Sequence, residues 1–453
     1  MILAEGLPRA QGGTLARGIA WLRARPLLTV FAVIAAWTLV PEVRRLIDWK
    51  VGFSSISVVS AIPLLMLAPF VIPFTYGKSL RLLERPMLIL GWVWFGGFTF
   101  SLAVAATTGS ISAALYAYLQ FFLPAIFALW VSTLNVPIRV LYDRIATFSL
   151  WLATPVALYG AMQFAAPPAW DVAWMLSAKI TSIGVPLPFQ LRPFSTLNGP
   201  GTFADFLVAV ILLNLPRLRS PKPLLLGQMA LLLGVLAVTM VRSNWIALVI
   251  GVVVYVVLSP GRLKNLTLLG GVAILFAVLL ANVSTLLGSS QAGNDISARL
   301  DTFSNLDSDV SYNERARYWG EPLIAAATQP LGQGLGTIGT AAKLGDKGTT
   351  LDFDNGYIAR FTEMGYFGTA CYAFVIIGGT VLALRRHRQF AKAREIDLAS
   401  IAAAVTAIQF AWLMLDVSSD HHNQLAGLFY WLSLALIGGR GAAEEVRRIE
   451  ATA

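Results

Sequence analysis

Apolar residues fill this chain on every side for roughly 15 to 25 positions at a time, which is the length of a helix that crosses a bilayer. Neither an alternation at period two nor a polar stripe at period 3.6 interrupts these runs, so transmembrane β-barrel strands and ordinary surface helices are excluded. The pattern predicts an all-α polytopic membrane protein with about twelve transmembrane helices. The expected spans are 27–41, 56–74, 87–107, 111–134, 145–165, 200–215, 223–241, 243–259, 266–287, 357–384, 398–416 and 423–438. The first run starts late and no small-residue cleavage signal follows it, which reads as a retained span and not a signal peptide. No internal repeat is visible.

Composition adds to this picture only in part. Over 453 residues, 57% hydrophobic, 13% charged and a mean hydropathy of +0.68 are values no water-soluble domain tolerates. The single Cys371 lies inside an apolar run, offering neither a disulfide framework nor a thiolate metal site. A net charge of +10 would suggest nucleic acid in a soluble protein, but in a membrane protein the placement of charge matters more than its sum, and no nucleic-acid partner is expected.

Placement is informative. The N-terminal segment, the even-numbered connections and the C-terminal tail carry 22 of the 34 Lys and Arg, among them Arg139, Arg217, Arg219, Arg385, Arg386, Arg388 and Arg447. By the positive-inside rule that face is cytoplasmic, with both termini on it. Cytoplasmic connections are then short and basic, which leaves no room for a cytosolic nucleotide-binding domain. Chemistry is expected on the outer face.

Three divisions follow: residues 1–287 with nine spans and a periplasmic loop at 166–199, a large extracytoplasmic loop at 288–355 between the ninth and tenth spans, and residues 356–453 with the last three spans and the tail. The first loop is Pro-rich. The second opens polar, reads as helix over 313–328, and ends in Gly-rich turns. Loops of this length are usually functional or disordered.

Candidate chemistry gathers at the outer ends. Arg192 precedes the turn-rich run Asn198-Gly199-Pro200-Gly201 at the mouth of the sixth span. A guanidinium beside loop and helix-start donors suits an anionic phosphate, although an interfacial Arg reaching lipid phosphates explains it as well. Arg242, followed by Ser243, sits in a link of a few residues between two apolar spans, where an unpaired cation costs on the order of 3 kcal/mol. Either it faces a polar site or it pairs with a carboxylate such as Asp416. Arg315 and Arg317 open the amphipathic part of the large loop, where a solvated face is the simpler account.

Gly334, Gly336 and Gly339 fit a dinucleotide fingerprint by spacing alone, but no strand precedes them, and a compact turn approaching something closely is expected instead. Asp352, Asp354, Asn355 and Gly356 lead into the tenth span, followed by Arg360 and Glu363. Asp354 could take a proton from a hydroxyl, or cap its own helix. His421, His422 and Asn423, with Asp416 and Asp420, form a second polar cluster before the twelfth span. Their spacing joins no ligand set from other loops, and no metal is expected.

Taken together, these motifs resemble the bacterial O-antigen ligase and O-antigen polymerase family. They are Arg192 leading through Asn198, Gly199 and Pro200 to Phe203-Ala204; Arg242-Ser243 beside Trp245; Arg315 four before Trp319; and Pro330-Leu331-Gly332-Gln333-Gly334-Leu335-Gly336. The ligase signature, His-Asn, nine residues, then Gly-x-x-Gly, here reads Asp354-Asn355, nine residues, then Gly365-Tyr366-Phe367-Gly368. The histidine has become an aspartate. His421 and His422 could substitute for it only where the twelfth span packs beside the tenth.

The resemblance implies a metal- and cofactor-independent glycosyltransferase of the inner membrane. It would move a glycan from undecaprenyl diphosphate to a sugar acceptor on the periplasmic face, in O-antigen or exopolysaccharide synthesis. Arg242 and Asp354 are the expected catalytic residues. Substrate contacts are expected from Arg192, Asn198, Ser243, Arg315, Asn355, Arg360, His421 and His422. The missing histidine favours a polymerase over a ligase that caps lipid A core or a protein. The partners implied are the lipid-linked oligosaccharide, a glycan acceptor and membrane lipid, with polysaccharide assembly proteins left open. A twelve-helix secondary transporter is the alternative, distinguished by ionisable groups near mid-membrane instead of at the outer ends.

Overall fold

Proline marks several helix starts, since its fixed φ and missing N–H suit the first turn, where no intrahelical acceptor is available. Pro26, Pro200 and Pro223 occupy such positions in the computed structural model, which describes residues 25–54, 57–72, 80–108, 110–178, 183–260, 320–344 and 353–452. The expected span 266–287, most of the large loop and Arg315 with its Trp319 lie outside the described residues.

The helices are α1 (Pro26–Val51), α2 (Ile62–Leu67, between 3₁₀ turns Val58–Ala61 and Ala68–Phe70), α3 (Arg85–Thr108), α4 (Ile111–Ser132) and α5 (Ile138–Ala165). Then come α6 (Ala169–Ala178), α7 (Pro200–Asn214), α8 (Pro223–Val238), α9 (Arg242–Leu258) and α10 (Glu321–Ala327). The chain closes with α11 (Gly356–Lys392), α12 (Ile396–Leu415), α13 (Gln424–Gly438) and α14 (Arg440–Thr452).

This is an all-α, multi-pass membrane protein. Among the described residues, 8 helices are long and apolar enough to cross a bilayer, and Val58–Phe70, Pro223–Val238 and Arg242–Leu258 are shorter apolar helices at three further expected spans. α6 was not among the expected spans. Pro167 and Pro168 precede it, and its ten residues are too few to register as a crossing.

α7, α12 and α13 form the centre, with nearly every side chain buried, while other helices turn apolar residues outward. On α9, Val249, Val253 and Val257 recur every fourth residue as an exposed stripe, and α11 exposes Phe374 and Ile377. Such faces are stable against lipid.

Ion pairs sort the connections into two ends. Arg139 bridges Glu395 and Asp397 at 2.6 and 3.0 Å, Arg219 reaches Asp397 at 3.3 Å, and Arg448 of α14 lies 3.8 Å from Glu395. These residues belong to connections expected on the basic face. At the opposite end lie the starts of α7, α9, α11 and α13, the segment 183–199 and the connection 416–423.

Candidate functional site

Four helix starts converge because their helices run the same way and pack through α12, and α11 packs directly against α13. The packing that His421 and His422 required is therefore present. Each helix start leaves N–H groups without intrahelical acceptors and carries a partial positive charge. The side chains brought to this end are mainly charged.

The loop before α7 is held from behind. Arg45 of α1 is fully buried, with Nε 2.8 Å from Asp171 Oδ1 and its guanidinium over the rings of Phe194 (4.8 Å) and Trp174 (5.5 Å). It also pairs with Glu42 and donates to the carbonyls of Ser195 and Leu197. Gln163 completes the clamp. Its Oε1 accepts the N–H groups of Phe194 and Ser195, both at 2.8 Å, and its Nε2 donates to Asp171 at 2.7 Å. Burial pushes the Asp171 carboxyl up, with the Arg45 charge opposing it.

Arg192 is thereby directed at the link between α8 and α9. Its Nε donates to the Thr239 carbonyl at 3.1 Å and its Nη2 to the Met240 carbonyl at 3.3 Å, two residues ahead of Arg242. Met240 takes a positive φ of 57° there, turning the chain sharply into α9. Arg192 and Arg242 thus share one rim, both half-buried, with Asn198 exposed nearby in sequence. Ser243 lies in the first turn of α9, its Oγ 3.5 Å from Asn244 Oδ1.

From Asn244 a chain of side chains runs inward. Asn244 Nδ2 donates to Asp205 Oδ1 at 2.8 Å, Asp205 Oδ2 lies 2.9 Å from His421 Nδ1, and His421 Nε2 lies 3.0 Å from Ser419 Oγ. The His421 ring is fixed at its backbone too: its N–H donates to Asp416 Oδ1 at 3.2 Å, and its carbonyl accepts from Trp412 Nε1 at 3.0 Å. Burial would lower the His421 pKa, but the Asp205 charge and hydrogen bond outweigh it and raise it above the ordinary value.

His422 faces the other way, into the α11 contact. Its Nδ1 is 3.0 Å from Asp416 Oδ2 and 2.9 Å from the Tyr372 hydroxyl, which itself donates to Asp416 at 2.6 Å. Burial alone would raise the Asp416 pKa; His422, Tyr372 and His421 together hold it below the ordinary carboxylate value.

The approach to α11 completes the end. Asn355 Oδ1 caps the helix by accepting from Ile358 N at 3.1 Å, and Gly356 N donates to the Asp416 carbonyl at 2.8 Å. A Cβ on Gly356 would meet the Ser419 carbonyl oxygen at 2.6 Å, so the Asp354-Asn355-Gly356 run lies directly against the 416–423 connection. Asp354 is exposed. Arg360 is buried beneath the ring of Phe121 (4.8 Å) and is shared between Glu363 at 2.6 Å and Asp420 at 3.4 Å. Its charge is already balanced by carboxylates.

The Gly-rich turn 330–336 wraps the end of this first α11 segment. Gln333 N and Gly334 N donate to the carbonyls of Thr362 and Glu363, and Glu363 Oε1 accepts Gly336 N at 2.9 Å and Ile338 N at 3.0 Å. Gly365 breaks the helix there at φ 59°, ψ −163°. Pro-Leu-Gly-x-Gly-Leu-Gly and Gly-x-x-Gly are therefore two halves of one backbone joint.

Asp416, Asp420 and His422 each bring a ligand atom within 4.8 Å of the others. Asp416 already serves Tyr372 and His422 Nδ1, and Asp420 serves Arg360 and Asn423, while His422 Nε2 is buried without a hydrogen-bond partner among the described residues. The structure brings together Arg192, Arg242, Ser243, Asn355, Arg360, His421 and His422 at one end. Asp205 and Asn244 were missed from the sequence, although a carboxylate inside the apolar run 203–213 is itself a signal, because burying it demands a partner.

Residues 228–373, from α8 into α11, match the family model described as O-antigen ligase. No curated protein matches the chain.

Proposed function

We propose that this chain, which carries an O-antigen ligase family domain at 228–373, is a glycan polymerase that uses an undecaprenyl diphosphate-linked donor. The carrying observation is the seating of Arg192 on the carbonyls of residues 239 and 240, immediately ahead of Arg242. Two guanidinium groups from separate segments, beside converging helix starts, suit a diphosphate whose polyprenyl tail stays in the bilayer. Each charge-assisted bond contributes roughly 1.5 to 3 kcal/mol.

The leaving diphosphate is a stable anion, so departure asks for cations more than for a general acid, and the scheme needs no metal ion or nucleotide sugar. As a sugar hydroxyl attacks the anomeric carbon, the bond to the phosphate oxygen breaks and its electron pair leaves with the diphosphate. Asp354, exposed at the rim, orients that hydroxyl, whose proton passes to a base at the rim as the new bond completes late in a dissociative reaction. Its aspartate identity, where ligases carry histidine, favours chain extension over capping.

The basic end of the bundle faces the cytoplasm, with both termini there, and the site opens on the periplasmic side of the inner membrane. Charged groups gathered at one end, instead of at mid-span, favour this reading over a transporter. The test supplies reconstituted protein with a lipid-diphosphate oligosaccharide. Longer products are expected from the wild type, with loss of at least tenfold in Arg242→Ala and Asp354→Asn variants that remain folded. A single addition to a different acceptor would indicate a ligase, and turnover without a lipid donor would overturn the proposal.

A further inference from the structure

Ser419, His421 and Asp205 lie in line, hydroxyl to imidazole to carboxylate, at 3.0 and 2.9 Å, with Asn244 holding the far carboxylate oxygen at 2.8 Å. Ser419 and His421 stand two residues apart in one connection, whereas Asp205 comes from α7, 216 residues away from His421, so packing and not local chain geometry sets the carboxylate behind the ring. Only Ser419 is half-buried; His421 and Asp205 are buried behind it. The backbone carbonyl of Ser419 lies against Gly356, two residues after Asp354.

We propose that Ser419, His421 and Asp205 form the proton relay of the transfer reaction, with Ser419 as the catalytic residue that meets the acceptor hydroxyl and His421 and Asp205 acting through it. This rests on the glycosyl-transfer reading above. As the acceptor oxygen bonds to the anomeric carbon and the diphosphate leaves with its electron pair, the acceptor proton passes to Ser419 Oγ. The Ser419 proton moves to His421 Nε2. The imidazolium so formed keeps its Nδ1–H on Asp205, which stays ionised.

An imidazole backed by a carboxylate is a stronger base than an exposed aspartate, whose reference pKa is about 3.9 against about 6.5 for histidine. Asp354 is then left to orient, and the relay takes the proton. The titratable groups that act on the ring are Asp205 from α7 and Asp416 and Asp420 from its own connection, with Arg360 of α11 paired to Asp420, and Tyr372 of α11 and His422 held on Asp416. Of these, Asp205, Asp416 and Asp420 act to raise its pKa.

The test is the pH dependence of transfer in the full-length reconstituted protein. Ser419→Ala is expected to lower kcat by about 10²-fold with little change in KM for the lipid donor, and Ser419→Thr to restore most of it. Asp205→Asn removes the charge that raises the histidine pKa, so the acidic limb of the profile should move to lower pH while the plateau falls. Because the residues act as one chain, the Ser419→Ala/Asp205→Asn pair should lose little more than Ser419→Ala alone. Unchanged profiles in both variants, or losses that simply multiply, would overturn the relay while product still forms. A wild-type protein that makes no product from any lipid-diphosphate glycan would instead overturn the glycosyl-transfer reading. Ser419 lies at the half-exposed end, so its variants keep the test open where Asp205→Asn fails to fold.

Discussion

Arg360 and Glu363 stand one turn apart on α11, with Arg360 Nη1 2.6 Å from Glu363 Oε2, and both side chains are buried. The other oxygen of Glu363 accepts the N–H groups of Gly336 and Ile338, so one carboxylate joins the cation to the Gly-rich turn. Removing one partner of a buried pair leaves the other charge uncompensated, at a cost of about 3 to 5 kcal/mol. Glu363→Ala should therefore destabilise the protein by about 3 kcal/mol or more in thermal or denaturant unfolding in detergent. Proteolysis between residues 329 and 338 should become faster at the same time. Unchanged unfolding would show that Arg360 is held by Asp420 alone.

Arg45 makes a separate case, because it touches the loop that carries Arg192 and none of the groups at the rim. Arg45→Met should destabilise by about 3 kcal/mol by stranding the Asp171 carboxylate. Arg45→Met/Asp171→Leu should recover much of that stability, since apolar replacement of a buried pair is often neutral. On the proposed glycosyl-transfer function, affinity for the lipid-linked glycan should not recover, because the Ser195 and Leu197 carbonyls still lack their hydrogen-bond donor and Arg192 loses its fixed approach. A double variant with wild-type KM for the lipid donor would show that the loop holds its shape without Arg45.

How far the sequence carries is visible in particular residues. Hydropathy located α1, α3, α4, α5, α7, α11, α12 and α13, because a run apolar on all sides is a local property of the chain. Gly334, Gly336 and Gly339 were expected to make a close approach; Gly334 and Gly336 do, against the backbone of Ala105 in α3 and Ala113 in α4, whereas a Cβ on Gly339 would meet nothing within 4 Å. What they approach was not legible, since Ala105 and Ala113 lie far back in the chain and only packing brings them there. Asp205 was passed over for a related reason: a single carboxylate in an apolar run shows that a partner is needed without showing which. Its partners His421 and Asn244 are set by how α7, α9 and α12 pack. Likewise His421 and His422 read as one pair in sequence, yet one ring faces α7 and the other α11.

The two groups with opposite shifts in the 416–423 connection give opposite pH dependences of stability. Asp416 has a folded pKa below its ordinary value, so its contribution is complete above about pH 3.9 and is lost as pH falls through the folded pKa. His421 has a raised folded pKa, so its contribution is complete below about pH 6.5 and is lost as pH rises through the folded value. Melting temperatures across pH should thus fall on both sides, with His421→Gln flattening the upper side and Asp416→Asn the lower. A His421→Gln variant with the wild-type slope above pH 6.5 would contradict the Asp205 pairing.

Two Gly→Ala variants separate the helix break from ordinary helix propensity. Gly365 has φ 59° and ψ −163°, a region that side chains strongly disfavour, at about 1 to 3 kcal/mol. Its Cβ would also sit 2.5 Å from Gly332 N, against backbone that has nowhere to move. Gly365→Ala should lower the unfolding temperature, and by displacing the Gly-rich turn it should loosen the segment that presents Asp354 and Arg360. Gly234 lies within α8, where a Cβ would meet nothing within 4 Å and the backbone is helical. There the smaller unfolded-state entropy of alanine should stabilise by about 0.4 to 1 kcal/mol. Opposite shifts in unfolding temperature are therefore expected from the same chemical change. Equal shifts would mean that α11 runs through Gly365 as a continuous helix, and that the joint between the two glycine motifs does not exist in the folded protein.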